Sequence, residues 1–194
     1  MNWKIALFLL PGLITGITFH EAAHAITASW LGDKNAKRMG RVTLNPFKHL
    51  SPLGTIALFA LGFGWGKPVE VNLYNFSKPK FHYLLSSLAG PVANLILAAI
   101  ALAILYLHPH LIVELLAKSI FYINVILAVV NLLPIPPLDG SKIWPCIIPK
   151  MKITGSNNWT TLWFAVLLLA FWTGAINKIL VPVLGFIKLL LPTS

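Results

Sequence analysis

The chain has 194 residues, of which 57% are hydrophobic, 15 are Lys or Arg and 5 are Asp or Glu. Charged residues make up 10% of the sequence, whereas soluble domains carry about 25%. This composition excludes an ordinary soluble domain, and the high apolar content excludes a disordered chain. The single cysteine, Cys146, excludes a disulfide framework and a multi-cysteine metal cluster.

Long apolar runs predict membrane-spanning helices, because a bilayer core about 30 Å thick requires roughly 20 helical residues. Three runs qualify, at residues 4–31, 83–107 and 111–133. The first lacks the basic start and cleavage site of a signal peptide, so it indicates a retained helix. A fourth run, 159–191, predicts one spanning helix to about Ala175, followed by a second spanning helix or an interfacial one.

Two segments between these runs predict less regular structure. Residues 51–66 are apolar but glycine-rich and too short to span, which indicates a re-entrant or interfacial loop covered by protein. Residues 67–75 alternate weakly and predict a short membrane-associated β segment. We therefore expect an all-α polytopic membrane protein with a single domain over 1–194. Its three-helix core occupies 4–142, and 159–191 add one or two C-terminal membrane helices.

The basic residues predict the orientation. With the N-terminus outside, 11 of the 15 basic residues lie on the cytoplasmic side, while the 108–110 loop on the other side holds none. The positive-inside rule favours this topology. We expect a multi-pass protein of a prokaryotic cell membrane, whose positive charge contacts lipid headgroups and not nucleic acid. The cytoplasmic set is Lys34, Lys37, Arg38, Arg41, Lys48, Lys67, Lys78, Lys80, Lys142, Lys150 and Lys152.

The motif HEAAH, from His20 to His24, lies inside the first predicted span. Residues four apart share a helix face, so both imidazoles can bind one ion, with Glu21 beside them as a base for a water molecule. An acid within the bilayer costs roughly 2.5–3.5 kcal/mol on insertion scales, and a divalent cation would offset this cost. The alternative is a polar cluster that only joins helices.

A catalytic zinc ion usually takes three protein ligands, so a third ligand must come from elsewhere. Asp139 has the best position, since it follows the third predicted span in NLLPIPPLDG, where prolines end the helix and force an extended turn. His20 and His24 lie ~10–17 Å from the cytoplasmic end of their helix, within reach of such a turn. The alternative for Asp139 is an ordinary turn carboxylate. The candidates for the third ligand are Asp33, Glu70, Glu114, Asp139, Cys146 and the other histidines.

These residues resemble the site-2 protease family of intramembrane zinc metalloproteases. The resemblance covers about residues 12–142 and rests on HEAAH, NPFKHLSPLGT, FGWGKPVEVN, AGPVANL and NLLPIPPLDG. It implies one Zn²⁺ ion bound by His20, His24 and Asp139, with Glu21 as the catalytic base. It also implies a three-helix core and an active site toward the cytoplasm. We expect a short form, without an appended PDZ or CBS domain.

The resemblance further implies that Asn94, in AGPVANL, assists catalysis. Its amide could donate to the oxygen of a tetrahedral intermediate, and the alternative is an interhelical hydrogen bond with no other role. The chain departs from the family pattern at Ser51 and Ser141, which puts only local loop detail in question.

The predicted function is hydrolysis of peptide bonds in or near the transmembrane helix of a membrane-protein substrate, as in regulated intramembrane proteolysis. Such a helix must unwind first, and residues 69–73 are predicted to hold it as an added strand. The alternatives are a catalytically silent zinc-binding protein, a metal or ion transporter, and a membrane di-iron oxidase. The intact Glu21 disfavours the silent zinc-binding protein, and the lack of a visible inverted repeat disfavours the transporter. The small number of histidines disfavours the di-iron oxidase.

Overall fold

The computed structural model describes residues 3–54, 56, 66–69, 71–148, 150–151 and 157–192. Helices dominate this part of the chain, and it contains no strand, so the predicted all-α class is confirmed. The elements are α1 (Trp3–Leu31), α2 (Asn35–Arg38), α3 (Pro46–His49), a 3-10 helix (Leu73–Asn75), α4 (Pro79–Tyr106), α5 (Leu111–Asn131), α6 (Gly140–Ile147), α7 (Asn157–Trp172) and α8 (Asn177–Leu190).

Helices α1, α4 and α5 pack against one another and form a three-helix core. Small residues permit the close approach. Gly12 of α1 contacts Ser119 of α5, whose hydroxyl accepts a hydrogen bond from the Gly12 N–H at 3.1 Å. Ala25 and Ala28 of α1 and Ala128 of α5 are completely buried. Such interfaces are typical of helices packed within a membrane.

Helix α4 shows the polarity expected of a helix in lipid, with small and polar residues inside and aliphatic residues outside. By length and composition, α4 and α5 could each cross a membrane; among the described residues only these two helices meet that test. Helix α1 is 29 residues long and carries the HEAAH motif; its span stays a prediction. The buried set on α4 is Ser86, Ser87, Gly90, Pro91, Asn94, Ala98, Ala101 and Leu105, and Val92, Leu95, Ile96 and Ile100 are 46–55% exposed.

The C-terminal apolar run forms two helices over residues 157–190, α7 and α8, and the prediction of one or two membrane helices in this region stays a prediction. The break lies at Gly174, whose φ of 73° is in the left-handed region that favours glycine. With 16 and 14 residues, each helix is shorter than the roughly 20 residues that span a bilayer. Helix α8 closes one end of the core, because Ile187 is fully buried against Ala101 and Phe121.

The predicted re-entrant loop over 51–66 lies largely outside the described residues. The predicted strand over 67–75 is not formed by residues 71–75, where the chain bends into a 3-10 helix. The reason is local capping, since the Asn72 side chain accepts a hydrogen bond from the Tyr74 N–H at 3.0 Å. Among the described residues of this region, β-pairing consists of an isolated antiparallel bridge between Leu50 and Gly66.

The contact at Gly12 makes a stability prediction. A Cβ atom at Gly12 would lie 2.3 Å from the Ser119 carbonyl oxygen, so Gly12→Ala should destabilise the protein by about 1–3 kcal/mol through overpacking. Gly185→Ala in α8 is the matched control, because nothing lies within 4 Å of its added Cβ. Thermal unfolding in detergent measures both; equal midpoints would contradict the close α1–α5 contact.

Candidate metal centre and active site

The structure brings His20, His24 and Asp139 together at the middle of α1. The two Nε2 atoms are 3.1 Å apart, and each lies 3.0 Å from Oδ2 of Asp139. All three residues are buried. In the described chain, they are the one group of three or more His, Cys, Asp or Glu residues whose ligand atoms converge within 4.8 Å.

Asp139 reaches the histidines through the turn that follows α5. The helix ends at Asn131, before three prolines, and the chain then folds through tight hydrogen-bonded turns rather than the extended turn that was predicted. Gly140 is required here, since a Cβ atom would lie 2.4 Å from the Leu132 carbonyl oxygen. The same carbonyl accepts a hydrogen bond from Trp144 Nε1 at 2.8 Å, which ties α6 to the end of α5.

A relay of amides orients the imidazole of His20. Asn94 Nδ2 donates to the Gly16 carbonyl at 3.1 Å and to Asn124 Oδ1 at 2.8 Å. Asn124 is itself oriented, because its Nδ2 donates to the Ile120 carbonyl. The oxygen of Asn94 must therefore face His20 Nδ1, 2.6 Å away. His20 thus carries its proton on Nδ1, and Nε2 presents a lone pair to the centre of the cluster.

His24 is oriented in the same sense by the backbone. Its Nδ1 donates to the Ser86 carbonyl at 2.7 Å, so its Nε2 also presents a lone pair. Two lone pairs and a carboxylate oxygen within 3.1 Å of one another repel in a low-dielectric interior unless a cation lies among them. Gly90 of α4 leaves space beside the cluster, since a Cβ atom at this position would lie 2.4 Å from His24 Nε2.

The donor set fits zinc. Catalytic zinc binds imidazole nitrogen and carboxylate oxygen at about 2.0–2.2 Å in a tetrahedral arrangement, which places ligand atoms roughly 3.3 Å apart. The observed separations of 3.0–3.1 Å agree with this spacing. The partners on Nδ1 of both histidines are those that metal-binding histidines require.

The second oxygen of Asp139 faces a lysine. Lys142 Nζ lies 3.3 Å from Oδ1. Burial alone would raise the pKa of the Asp139 carboxyl, but its interactions with His24 and Lys142 outweigh burial and hold the pKa well below its usual value. Burial also lowers the pKa of Lys142, and the facing carboxylate outweighs that effect, so the lysine pKa is raised. Asp139 is therefore ionised, as a metal ligand must be.

Glu21 stands apart from the cluster, as a base would. Its Oε2 accepts a hydrogen bond from the Val69 N–H at 3.0 Å. Together with His20 it lines a cavity of about 200 Å³ that reaches the protein surface. The other lining residues are mostly apolar: Ile17, Gly66, Pro68, Leu127, Val130, Asn131, Pro137, Leu138 and Phe164.

Asn94 is predicted to donate to a reaction intermediate, but in the structure its amide has other hydrogen-bond partners. Both of its amide hydrogens already have acceptors, and its oxygen contacts the back of His20. Asn94 is also absent from the cavity lining. The link between Asn94 and Asn124 was not predicted from the sequence; the signal for it was a second asparagine inside an apolar predicted helix.

The other candidates for the third ligand lie elsewhere. Glu114 forms an ion pair with Lys118 at the start of α5. Cys146 is a free cysteine, and burial raises the pKa of its thiol, which disfavours the thiolate that metals bind. Asp33 is fully buried away from the cluster. Glu70 lies outside the described residues.

Comparison with known proteins gives a consistent result. A model of Peptidase family M50 matches residues 108–174. The chain is 43% identical over 173 residues to YwhC of Bacillus subtilis, which covers 82% of this chain and 79% of YwhC. It is 30% identical over 187 residues to Rip2 of Mycolicibacterium smegmatis, with 90% and 70% covered. Both relatives are named as zinc metalloproteases. No solved structure gives a significant match.

The apolar helices, the buried donor set and these relatives define a membrane metalloprotease. The chain belongs to peptidase family M50, the site-2 protease family. It is accordingly an integral membrane enzyme with zinc as its cofactor.

The position of Gly90 makes a prediction about metal binding. In Gly90→Ala, the added Cβ would lie 2.4 Å from His24 Nε2 and 2.7 Å from His20 Nε2, so the imidazoles must move apart. We expect zinc content, measured by elemental analysis of the purified protein, to fall from about one per chain to below roughly a tenth, in line with the sensitivity of metal sites to ligand position. Gly185→Ala should keep its zinc; full zinc in Gly90→Ala would contradict this geometry.

Proposed function

We propose that this protein cleaves peptide bonds within the membrane, with zinc held by His20, His24 and Asp139 and with Glu21 as general base. The observation that carries the proposal is the contact of Asp139 with two histidines of α1, one of them 115 positions earlier in the chain, at 3.0 Å. A glutamate with no place among the ligands stands next to them at a cavity. A purely structural metal site has no use for such a base.

The residues divide the chemistry as follows. Zinc, when bound, polarises a carbonyl group and lowers the pKa of a water molecule. His20 and His24 offer their Nε2 lone pairs because their Nδ1 protons are committed to Asn94 and Ser86. Glu21 is held through Oε2, which leaves Oε1 to take a proton from water and pass it to the leaving amine.

The substrate is a membrane-protein segment that contributes apolar side chains. The cavity beside Glu21 is mostly apolar, and a helical substrate must unwind locally because its peptide groups are engaged in its own hydrogen bonds. The sequence predicted that residues 69–73 hold the unwound segment as an added strand. The N–H groups of Lys67, Val69 and Asn72 already have partners within the chain, so we place the substrate in the cavity.

We also propose that the N-terminus lies outside and the active site faces the cytoplasm. The exposed basic residues around α2 and α3 support this orientation, because cytoplasmic loops carry an excess of Lys and Arg. The Asp139 turn follows α5 and lies at the opposite end of that helix from residues 108–110. The zinc site is therefore nearer the basic side of the membrane.

Removal of the base tests the proposed function. Glu21→Gln should retain about one zinc per chain and lose cleavage of a transmembrane-helix substrate by about 10²–10⁴-fold, the range of general acid–base catalysis. Glu114→Gln, the same change far from the site, should cleave normally. His20→Ala should lose both zinc and activity. Cleavage surviving in Glu21→Gln would remove Glu21 from its role, and a wild-type protein that binds zinc without cleaving would favour the silent zinc-binding alternative.

Thiol labelling tests the orientation. In a Cys146→Ser background, cysteine is placed at His110, between α4 and α5, or at Lys48, in α3; both native side chains are exposed. A membrane-impermeant maleimide added to intact cells should label the variant at position 110, while the variant at position 48 should react only after the membrane is opened. The reverse pattern would invert the topology.

A further inference from the structure

Two buried charged residues near the active site belong to neither the zinc cluster nor the cavity. Asp33, just after α1, is completely buried, and Arg41, between α2 and α3, is 7% exposed. Burying a charge is costly unless hydrogen bonds replace its water. The partners of these two residues therefore indicate what they hold.

Asp33 binds one end of the segment that follows the cavity. Its Oδ2 accepts a hydrogen bond from the Asn72 N–H at 2.7 Å, and its Oδ1 accepts one from Asn75 Nδ2 at 2.8 Å. A third bond, from the Asn35 N–H at 3.1 Å, fixes the carboxylate to the start of α2. The acid thus joins the end of α1 to the 3-10 helix.

Arg41 binds the other end of the same segment. Its guanidinium donates to the carbonyl oxygens of Lys67 and Pro68, both at 3.1 Å, and to that of Lys48. The Lys67 N–H in turn donates to the His49 carbonyl at 2.6 Å. Arg41 thereby ties residues 67–68 to α3.

The segment between these two anchors holds the catalytic glutamate. We define the strap as residues 66–69 and 71–75. Its Val69 N–H donates to Glu21 Oε2 at 3.0 Å, and the Val69 side chain packs on Ala25 of α1 and Ala36 of α2. One backbone amide, fixed on both sides by buried charges, therefore sets the position of the Glu21 carboxylate.

We infer that Asp33 and Arg41 are positioning residues, which clamp the strap so that its Val69 amide holds Glu21 in the geometry needed for proton transfer. This inference rests on the proposed role of Glu21. Neither residue touches a zinc ligand, so their removal should slow the chemical step without releasing the metal. A lost transition-state interaction lowers kcat and kcat/KM equally and leaves KM unchanged.

The kinetic arm compares the full-length wild type with Asp33→Asn and Arg41→Gln in detergent. In Asp33→Asn, the side chain keeps its shape, but an NH2 group replaces one carboxylate oxygen and faces the N–H donors of the strap. In Arg41→Gln, the new side chain is too short to reach the strap carbonyls. We expect kcat to fall roughly 10–100-fold, as for residues that orient site groups, while KM and zinc per chain stay within about twofold of wild type. Effects of two residues on one strap should be non-additive in the double variant.

The controls repeat each chemical change away from the strap. Arg38→Gln removes an exposed arginine at the end of α2, and Glu114→Gln converts a carboxylate to an amide in α5. Both should keep wild-type kcat. If Asp33→Asn and Arg41→Gln match these controls, or if they lose zinc, the positioning role is overturned.

A second arm reads the clamp without using activity. In hydrogen–deuterium exchange of zinc-loaded protein, peptides covering 66–75 should take up deuterium at least about tenfold faster in Asp33→Asn and Arg41→Gln than in wild type, since their amides lose fixed partners. Peptides from α4 and α5 should not change. Faster exchange throughout these helices would show general destabilisation and would overturn a local clamp, as would unchanged exchange over 66–75.

Failure of this inference and failure of the proposed function give different results. If wild type cleaves, Glu21→Gln does not, and Asp33→Asn cleaves at the wild-type rate, only the clamp is overturned. If Glu21→Gln cleaves as well as wild type, the proposed function falls, and the positioning role falls with it.

Discussion

The structure depends on one arrangement that cannot exist without compensation: two imidazole lone pairs and a carboxylate oxygen within 3.1 Å of one another in a buried site. In an interior of low dielectric these groups repel, and a divalent cation converts the repulsion into binding. The three-helix core provides the surroundings. Helix α1 carries both histidines, α4 leaves room at Gly90, and the turn after α5 delivers Asp139.

The groups behind the ligands matter as much as the ligands. A backbone carbonyl of α5 orients Asn124, Asn124 orients Asn94, and Asn94 accepts a hydrogen bond from His20 Nδ1. The packing of three helices therefore determines which ring nitrogen of His20 carries the proton. Buried amides in an apolar bundle are costly unless every donor and acceptor is satisfied. The amide nitrogen and oxygen of both asparagines have hydrogen-bond partners, and such outer partners keep a metal site in one geometry.

The proposed base is held by different means from the proposed metal ligands. Glu21 shares α1 with the histidines, but its carboxylate is oriented by the backbone amide of Val69, in a segment that lies outside the helical core. That segment needs anchors, and buried Asp33 and Arg41 provide them. Under the proposed mechanism, the helices secure metal binding and a loop secures proton transfer, and the apolar cavity beside Glu21 is the proposed substrate site.

The sequence by itself determined what is local. Apolar runs determined the helices, the four-residue step of HEAAH placed two imidazoles on one face, and prolines ended α5 at Asn131, because these depend on neighbours along one chain segment. Only the tertiary structure decided which carboxylate among several meets the histidines, that Asn94 lies behind His20, and that residues 71–75 bend instead of extending. Those outcomes depend on contacts between residues far apart in sequence, such as Asp33 with Asn72. The hydrophobic periodicity of a single segment does not predict such contacts.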